Sequence, residues 1–191
     1  MMSLHTQIKS LTELLKSLDN NNDILINIEN AIEMLNSAIN NNFPILVFGN
    51  GGSASDALHI TGELVGRFLL ERKPINVICL NSNVSVLTAW ANDYHYDTVF
   101  SRQVEAHASE GGICWGISTS GNSENVVAAF NVAKKLKMKT LSLTGMNGGK
   151  LKNLSDVSIN VPSKLTPRIQ ELHLPIYHYI CEELEKKLKN S

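Results

Sequence analysis

Five short apolar segments recur from residue 44 onward: PILVFG (44–49), INVICLN (75–81), GICWGIS (112–118), KTLSLTG (139–145) and DVSINVP (156–162). A longer stretch with apolar residues at helical spacing separates each from the next. Strands joined by crossover helices pair in parallel, which restricts the chain to β-α-β units and one parallel sheet. The first three segments are rich in Ile, Val and Leu with little alternation, as strands covered on both faces require. The expected fold is therefore α/β, a three-layer α-β-α sandwich with a five-stranded parallel sheet in the middle. At 191 residues, 43% of them hydrophobic, the chain can bury one such core and is read as a single domain over 1–191.

Two further helices precede the first strand. Leu4, Ile8, Leu11, Leu14 and Leu15 mark one over 4–18; Ile24, Ile28, Ile32, Leu35 and Ile39 mark another over 23–40, with the Asn-rich turn 19–22 between them. This helical pair occupies 1–42 and the α/β core 43–191. The first helix has no evident place on a sheet flanked by its own crossover helices, so it docks either on its own domain or on another subunit. The last segment, 166–188, carries Ile169, Leu172, Ile176, Ile180, Leu184 and Leu188 on one stripe. Pro175 removes an N–H inside it and predicts a kink.

Seventeen basic against eighteen acidic side chains leave a formal charge of −1, without a block of like charges. That removes the electrostatic signature of a nucleic-acid or anionic-membrane partner. No apolar run reaches the roughly 18 residues a membrane span needs, and the first residues show no signal-peptide core, so a cytoplasmic protein is expected. Cys79, Cys114 and Cys181 are isolated and odd in number, which excludes a disulfide framework and a cysteine-rich metal site.

Two strand ends carry the candidate chemistry. The first strand runs into Gly49-Asn50-Gly51-Gly52-Ser53-Ala54 and then a helical pattern, so backbone N–H groups at a helix start are open to an anion. The string also fits a dinucleotide fingerprint, but that needs a carboxylate at the end of the second strand, where Asn81, Ser82 and Asn83 stand. No nucleotide cofactor is expected. The third strand ends in Ser118-Thr119-Ser120-Gly121-Asn122-Ser123 before another helix. Its hydroxyls and amides make either a neutral phosphate cradle or an ordinary Ser/Gly turn with Ser123 near the cap.

GNGGSASDALH (49–59), ANDYHYD (91–97), FSRQVEA (100–106), GISTSGNSENV (116–126), LTGMNGG (143–149) and TPRIQELH (166–173) occur in order along the chain. Together they resemble the sugar isomerase (SIS) domain, a flavodoxin-like fold, and within it the bacterial phosphoheptose isomerases. The resemblance runs from about residue 3 to 188 and includes the two leading helices. It implies isomerisation of D-sedoheptulose 7-phosphate to D-glycero-D-manno-heptose 7-phosphate, the first step toward nucleotide-activated heptoses for bacterial surface glycans such as lipopolysaccharide or capsule. It further implies a homotetramer with active sites at subunit contacts. Carried over by motif, substrate contacts fall on Asn50, Gly51, Gly52, Ser53, Glu63, Asn92, Asp93, Ser118, Thr119, Ser120, Ser123 and Gln170. A zinc ion, one per subunit, would fall on His59, Glu63, Gln170 and His178.

Chemistry beside the resemblance assigns Glu63 as the base that moves a proton between C1 and C2, and His178 as the acid that opens the sugar ring. His59 and Glu63, four apart, share one helix face about 6 Å apart. Gln170 and His178 are eight apart, which on a straight helix means about 80° of rotation and about 12 Å of rise. Plainer readings stand beside these: Glu63 paired with Arg67 on a surface helix, His173 in the core or behind the site, Arg168 in a structural ion pair, and His95 narrowing the sugar pocket or filling a turn. Asp93 binds sugar hydroxyls or caps a turn with Asn92. Alternative functions are a non-catalytic SIS scaffold resembling the replication-initiator-associating relatives, an isomerase of another phosphosugar, or a sugar-phosphate-sensing domain.

Overall fold

The computed structural model describes residues 3–189, so the outermost two residues at each end of the expected domain lie outside the described residues. The elements in chain order are α1 (Leu4–Asp19), α2 (Asn22–Asn40), β1 (Ile45–Gly49), α3 (Gly52–Val65), β2 (Val77–Cys79), α4 (Val84–Asp93), a single 3-10 turn (Tyr96–Thr98), α5 (Val99–His107), β3 (Ile113–Ser118), α6 (Glu124–Lys135), β4 (Lys139–Thr144), α7 (Gly149–Leu154), β5 (Val157–Asn160) and α8 (Thr166–Lys189). All five strands pair in parallel in the order β2-β1-β3-β4-β5. Each of the five apolar segments supplies one of them.

Alternate residues of each strand point to opposite faces, and the core divides accordingly. Ile45, Val47, Ile113, Trp115, Ile117, Leu141 and Leu143 face α2, α3 and α8; Leu46, Phe48 and Cys114 face α5, α6 and α7. The sheet is thus the middle of three layers, as the unalternating strands require. The three cysteines are free and buried. Helix α2 belongs to the core, burying Ile24, Ile28, Ile32 and Leu35. Helix α1 docks more lightly: none of its residues is fully buried, although Leu11, Leu14 and Leu18 pack on the same cluster. Its Leu4 and Ile8 stay open to solvent.

Helix α8 runs as one element through Pro175, so the proline does not end it. Its inner face carries Ile169, Leu172, Ile176 and Ile180 into the core. Near its end, Glu185 is fully buried. Its Oε1 accepts the Phe68 N–H at 2.7 Å, and its Oε2 accepts those of Leu69 and Leu70 at 2.7 and 2.8 Å. Arg72 Nε forms an ion pair with it at 3.3 Å, and Arg72 Nη2 donates to the carbonyl of Glu63 at 2.6 Å. Burial pushes this carboxyl up, but three N–H donors and a guanidinium outweigh it and hold the group below the usual carboxylate range. The clamp ties the chain leaving α3 to α8, and so fixes where Glu63 stands.

Removing one partner of a buried charge cluster leaves the others uncompensated. Glu185→Ala is therefore expected to cost about 3–5 kcal/mol in urea unfolding; a loss below about 1 kcal/mol would show that the segment after α3 holds without it. His173 gives a second expectation. It is fully buried, with Nε2 3.3 Å from the Thr144 carbonyl oxygen and Nδ1 without a partner, and burial lowers its pKa to about 4. The unfolded chain therefore binds this proton more readily, and stability falls with pH from about 6.5 to about 4 and no further below. The full effect is about 3 kcal/mol. His173→Gln should show a smaller loss of stability between pH 7 and pH 4 than the unsubstituted protein; equal losses would place the acid sensitivity elsewhere.

Candidate active site

In the order β2-β1-β3-β4-β5 the chain turns away in opposite directions from the β1–β3 pair, which leaves a crevice at their carboxyl ends. The register sets Gly49 beside Ile117, so the glycine loop after β1 and the hydroxyl loop after β3 open into the same space. Asn81, at the position where a dinucleotide site would need a carboxylate, accepts the Gly49 N–H at 3.1 Å and donates to the Gly49 carbonyl at 2.9 Å. It holds the glycine loop in place.

Asn50, Gly51, Gly52, Ser53, Ser118, Thr119, Ser123 and Gln170 line one cavity of about 270 Å³, with no Lys or Arg among its walls. Helices α3 and α6 both start there, and neither Gly51 nor Ser123 supplies a side-chain cap. By contrast Ser3, Asn21 and Asn83 cap α1, α2 and α4 with side-chain oxygens. Two helix N-termini meet over one hollow, an arrangement that suits an anion. Ser123 is not serving as a cap; its hydroxyl lies 2.9 Å from that of Ser118. Gly52 lets the amide of Gln170 close over the loop, while Gly121, at φ +65°, is needed as glycine because a Cβ there would strike the carbonyl of Gly148. Ser120 departs from the expectation. Its hydroxyl accepts the Asn122 N–H at 3.1 Å, and its surroundings are a separate shallow hollow beside Gly145 and Met146.

Farther along α3, four side chains meet. His59 Nε2 is 3.0 Å from Glu63 Oε1, and His59 Nδ1 is 3.0 Å from the Tyr177 hydroxyl. The His178 ring stands 5.0 Å from that of His59 and 5.1 Å from that of Tyr177, edge to face with both. Its Nε2 is buried without a partner. Burial lowers the His178 pKa, the nearby His59 lowers it further, and Glu63 opposes both, which favours the neutral ring. Asp56 stands one turn back, its Oδ1 3.5 Å from the Tyr177 hydroxyl and its Oδ2 buried without a partner; burial raises its pKa to about 6.

Glu63 is partnered by His59 and not by Arg67. Arg168 is in an ion pair with Glu171, as the structural reading expects. Of the four residues expected to hold zinc, His59 and Glu63 are in contact and His178 stands beside His59, whereas the Gln170 amide lies over Gly52. His59 has both ring nitrogens engaged, Gln170 lies over Gly52 at the other end of the crevice, and among the described residues no three His, Cys, Asp or Glu side chains are grouped to hold a metal ion. The physical reason is helical rise: eight residues of α8 carry Gln170 and His178 to different turns of α3.

Asn92 and Asp93 also fall outside the crevice of their own subunit. The Asn92 amide donates to Asp93 Oδ1 at 2.9 Å, and Asp93 lines another hollow with Trp90 and Arg102. Tyr96, from the same stretch, reaches the site instead: its hydroxyl donates to Asn50 Oδ1 at 3.0 Å. Asn125 on α6 exchanges hydrogen bonds with Asn50 at 2.9 Å in both directions. Tyr96, Asn125 and Tyr177 went unmarked in the sequence because none stands in a spacing that implies a role. A tyrosine directly before His178 on a buried stripe was the one available signal.

Similarity to known proteins agrees with this arrangement. Residues 8–145 match the SIS domain family. A phosphoheptose isomerase of Helicobacter pylori is 52% identical over 159 residues, covering 83% of each chain, and one of Citrifermentans bemidjiense is 43% identical over 188 residues, covering 98% of this chain and 97% of that one. The solved structure of a phosphoheptose isomerase from Francisella tularensis superimposes with a TM-score of 0.92 at 34% identity, over 97% of this chain and all of that one. With its parallel sheet, its paired strand-end loops and these likenesses, the chain belongs to the SIS domain family, among the phosphoheptose isomerases.

Proposed function

We propose that this isomerase takes D-sedoheptulose 7-phosphate to D-glycero-D-manno-heptose 7-phosphate through an enediolate, with the phosphate in the cradle between α3 and α6. The observation that carries this reading is the pair of uncapped helix N-termini over a cavity that holds no cation, with a carboxylate and two imidazoles at the far end of α3. Gly52 and Glu63 are about 16 Å apart along that helix, less the backward lean of the Glu63 side chain, a reach that suits a long open-chain sugar phosphate.

Ring opening moves the proton of the anomeric hydroxyl to the ring oxygen, a transfer within reach of His178. Glu63 then takes a proton from C1 of the open ketose and returns it to C2. His178, starting neutral, carries the hydroxyl proton from O1 to O2, so every proton removed is replaced and no electron leaves the substrate. The route is written on these side chains alone, without a metal step. Glu63 lies near enough to His178 to influence its titration, as the base and acid of one site would.

The same reading places the working site at a contact between subunits of a homotetramer in the cytoplasm. A cavity of about 270 Å³ is small for a heptose phosphate. The apolar side chains of Leu58, Val65, Leu69 and Leu174, on α3, just after it and on α8, are exposed beside the histidines, as surfaces awaiting a partner are.

Glu63→Gln keeps the shape of the side chain and removes the proton acceptor. Turnover of sedoheptulose 7-phosphate, followed as aldose formation by NMR, should fall at least about 100-fold while substrate still binds. Near-normal turnover in a folded Glu63→Gln protein ends its assignment as the base. Thr119→Val removes a hydroxyl from the cradle at little change in volume. It should weaken the binding of both substrate and inorganic phosphate by about 1 kcal/mol, measured by calorimetric titration; unchanged affinity for both would move the phosphate elsewhere.

A further inference from the structure

We propose that Asn125 and Tyr96 are positioning residues of the phosphate cradle, holding the Asn50 side chain so that it offers a bound anion a hydrogen and no lone pair. The inference rests on the reading of the cavity between α3 and α6 as the phosphate site. Asn50 Oδ1 has two lone pairs, and both are taken: one accepts from Asn125 Nδ2 at 2.9 Å, the other from the Tyr96 hydroxyl at 3.0 Å. Asn50 Nδ2 has two hydrogens, one of which goes to Asn125 Oδ1 at 2.9 Å. That leaves a single N–H on a residue that lines the cavity. Turning the Asn50 amide over would set nitrogen against nitrogen and oxygen against oxygen across the pair. The two-way bond therefore fixes which atom Asn50 has left to offer, and a hydrogen is what a phosphate oxygen accepts.

The same pair spans the crevice. Asn50 is the first residue after β1, where Asn81 already holds the backbone of its neighbour Gly49. Asn125 stands in the first turn of α6 and is 3% exposed, so water does not compete for its amide. The two asparagines are 75 positions apart in sequence, and their bond ties the loop that opens α3 to the first turn of the helix opposite. It thereby sets the gap between the two helix N-termini. Tyr96 comes from a third element, the 3-10 turn after α4, and steadies the pair from outside. Neither Asn125 nor Tyr96 is a wall of the cavity, so each acts on the anion through Asn50.

The test is a cycle of variants probed with inorganic phosphate and with sedoheptulose 7-phosphate. Asn125→Ala is expected to weaken inorganic phosphate about tenfold by calorimetric titration. It should raise KM for the sugar phosphate by a similar factor with kcat within about twofold, because Glu63 and His178 lie at the far end of α3 and keep their places. A general loosening of the fold would lower kcat as well. In an Asn50→Ala background, where no amide awaits Asn125, the same change should cost less than about twofold in phosphate affinity. Tyr96→Phe keeps the ring of a half-exposed side chain and removes only the hydroxyl, so it reports even if Asn125→Ala does not fold. It should weaken phosphate about threefold. Unchanged phosphate affinity in either variant, an equal loss from Asn125→Ala in both backgrounds, or a fall in kcat as large as the rise in KM overturns the proposal. With Thr119→Val still weakening phosphate, those outcomes leave the cradle standing; unchanged affinity in Thr119→Val as well would end the cradle reading itself.

Discussion

The parallel pairing of β1 with β3 is the constraint on which the rest of the molecule depends. These two strands are adjacent in the sheet yet separated in sequence by β2, three α-helices and a 3-10 turn, because the chain lays β2 on one side of β1 and adds β3 on the other. Each strand feeds a helix that leaves from its carboxyl end, and the two helices go to opposite faces of the sheet. A space opens where they part. An order that parted β1 from β3 would separate the glycine loop from the hydroxyl loop. In this order both reach one anion without a charged side chain, using backbone N–H groups the helices have no other use for.

The second contact that matters is α3 against α8. Phosphate binding needs only the start of α3, but isomerisation needs groups held a fixed distance farther along it. Helix α8 supplies them by laying Tyr177 and His178 beside His59. Glu185, at the far end of α8, holds the segment after α3 and, through Arg72, the carbonyl of Glu63. A carboxylate buried for structure thus sets the place of a carboxylate needed for chemistry. The burial is tolerated because four donors surround it; Glu63 is left with a single side-chain donor and an open side.

Low dielectric and few charges shape the working end of the site. The surroundings of His178 favour its neutral form, and Tyr177 is held protonated by burial and by the negative charge of Asp56. Histidine and tyrosine there exchange single hydrogens beside the carboxylates of Asp56 and Glu63. That suits a reaction in which protons are exchanged among carbon and oxygen atoms of one neutral sugar while the phosphate is anchored elsewhere.

Much of this was legible in the residues. Apolar runs of strand length at regular spacing dictated the parallel sheet, since such runs must be covered on both faces and only crossover helices do that. Glycine and serine at two strand ends marked the phosphate loops, because backbone geometry and free N–H groups are local properties. His59 and Glu63 were placed together by helical period alone. The tertiary structure decided what depends on distance between elements. It turned the Ser120 hydroxyl to Asn122, left Asn92 and Asp93 outside the crevice, and brought in Tyr96, Asn125 and Tyr177. Spacing along one helix fixes which side chains share its face, whereas the turn of α3 that meets a given turn of α8 follows from how two packed surfaces interlock, and no local pattern encodes that.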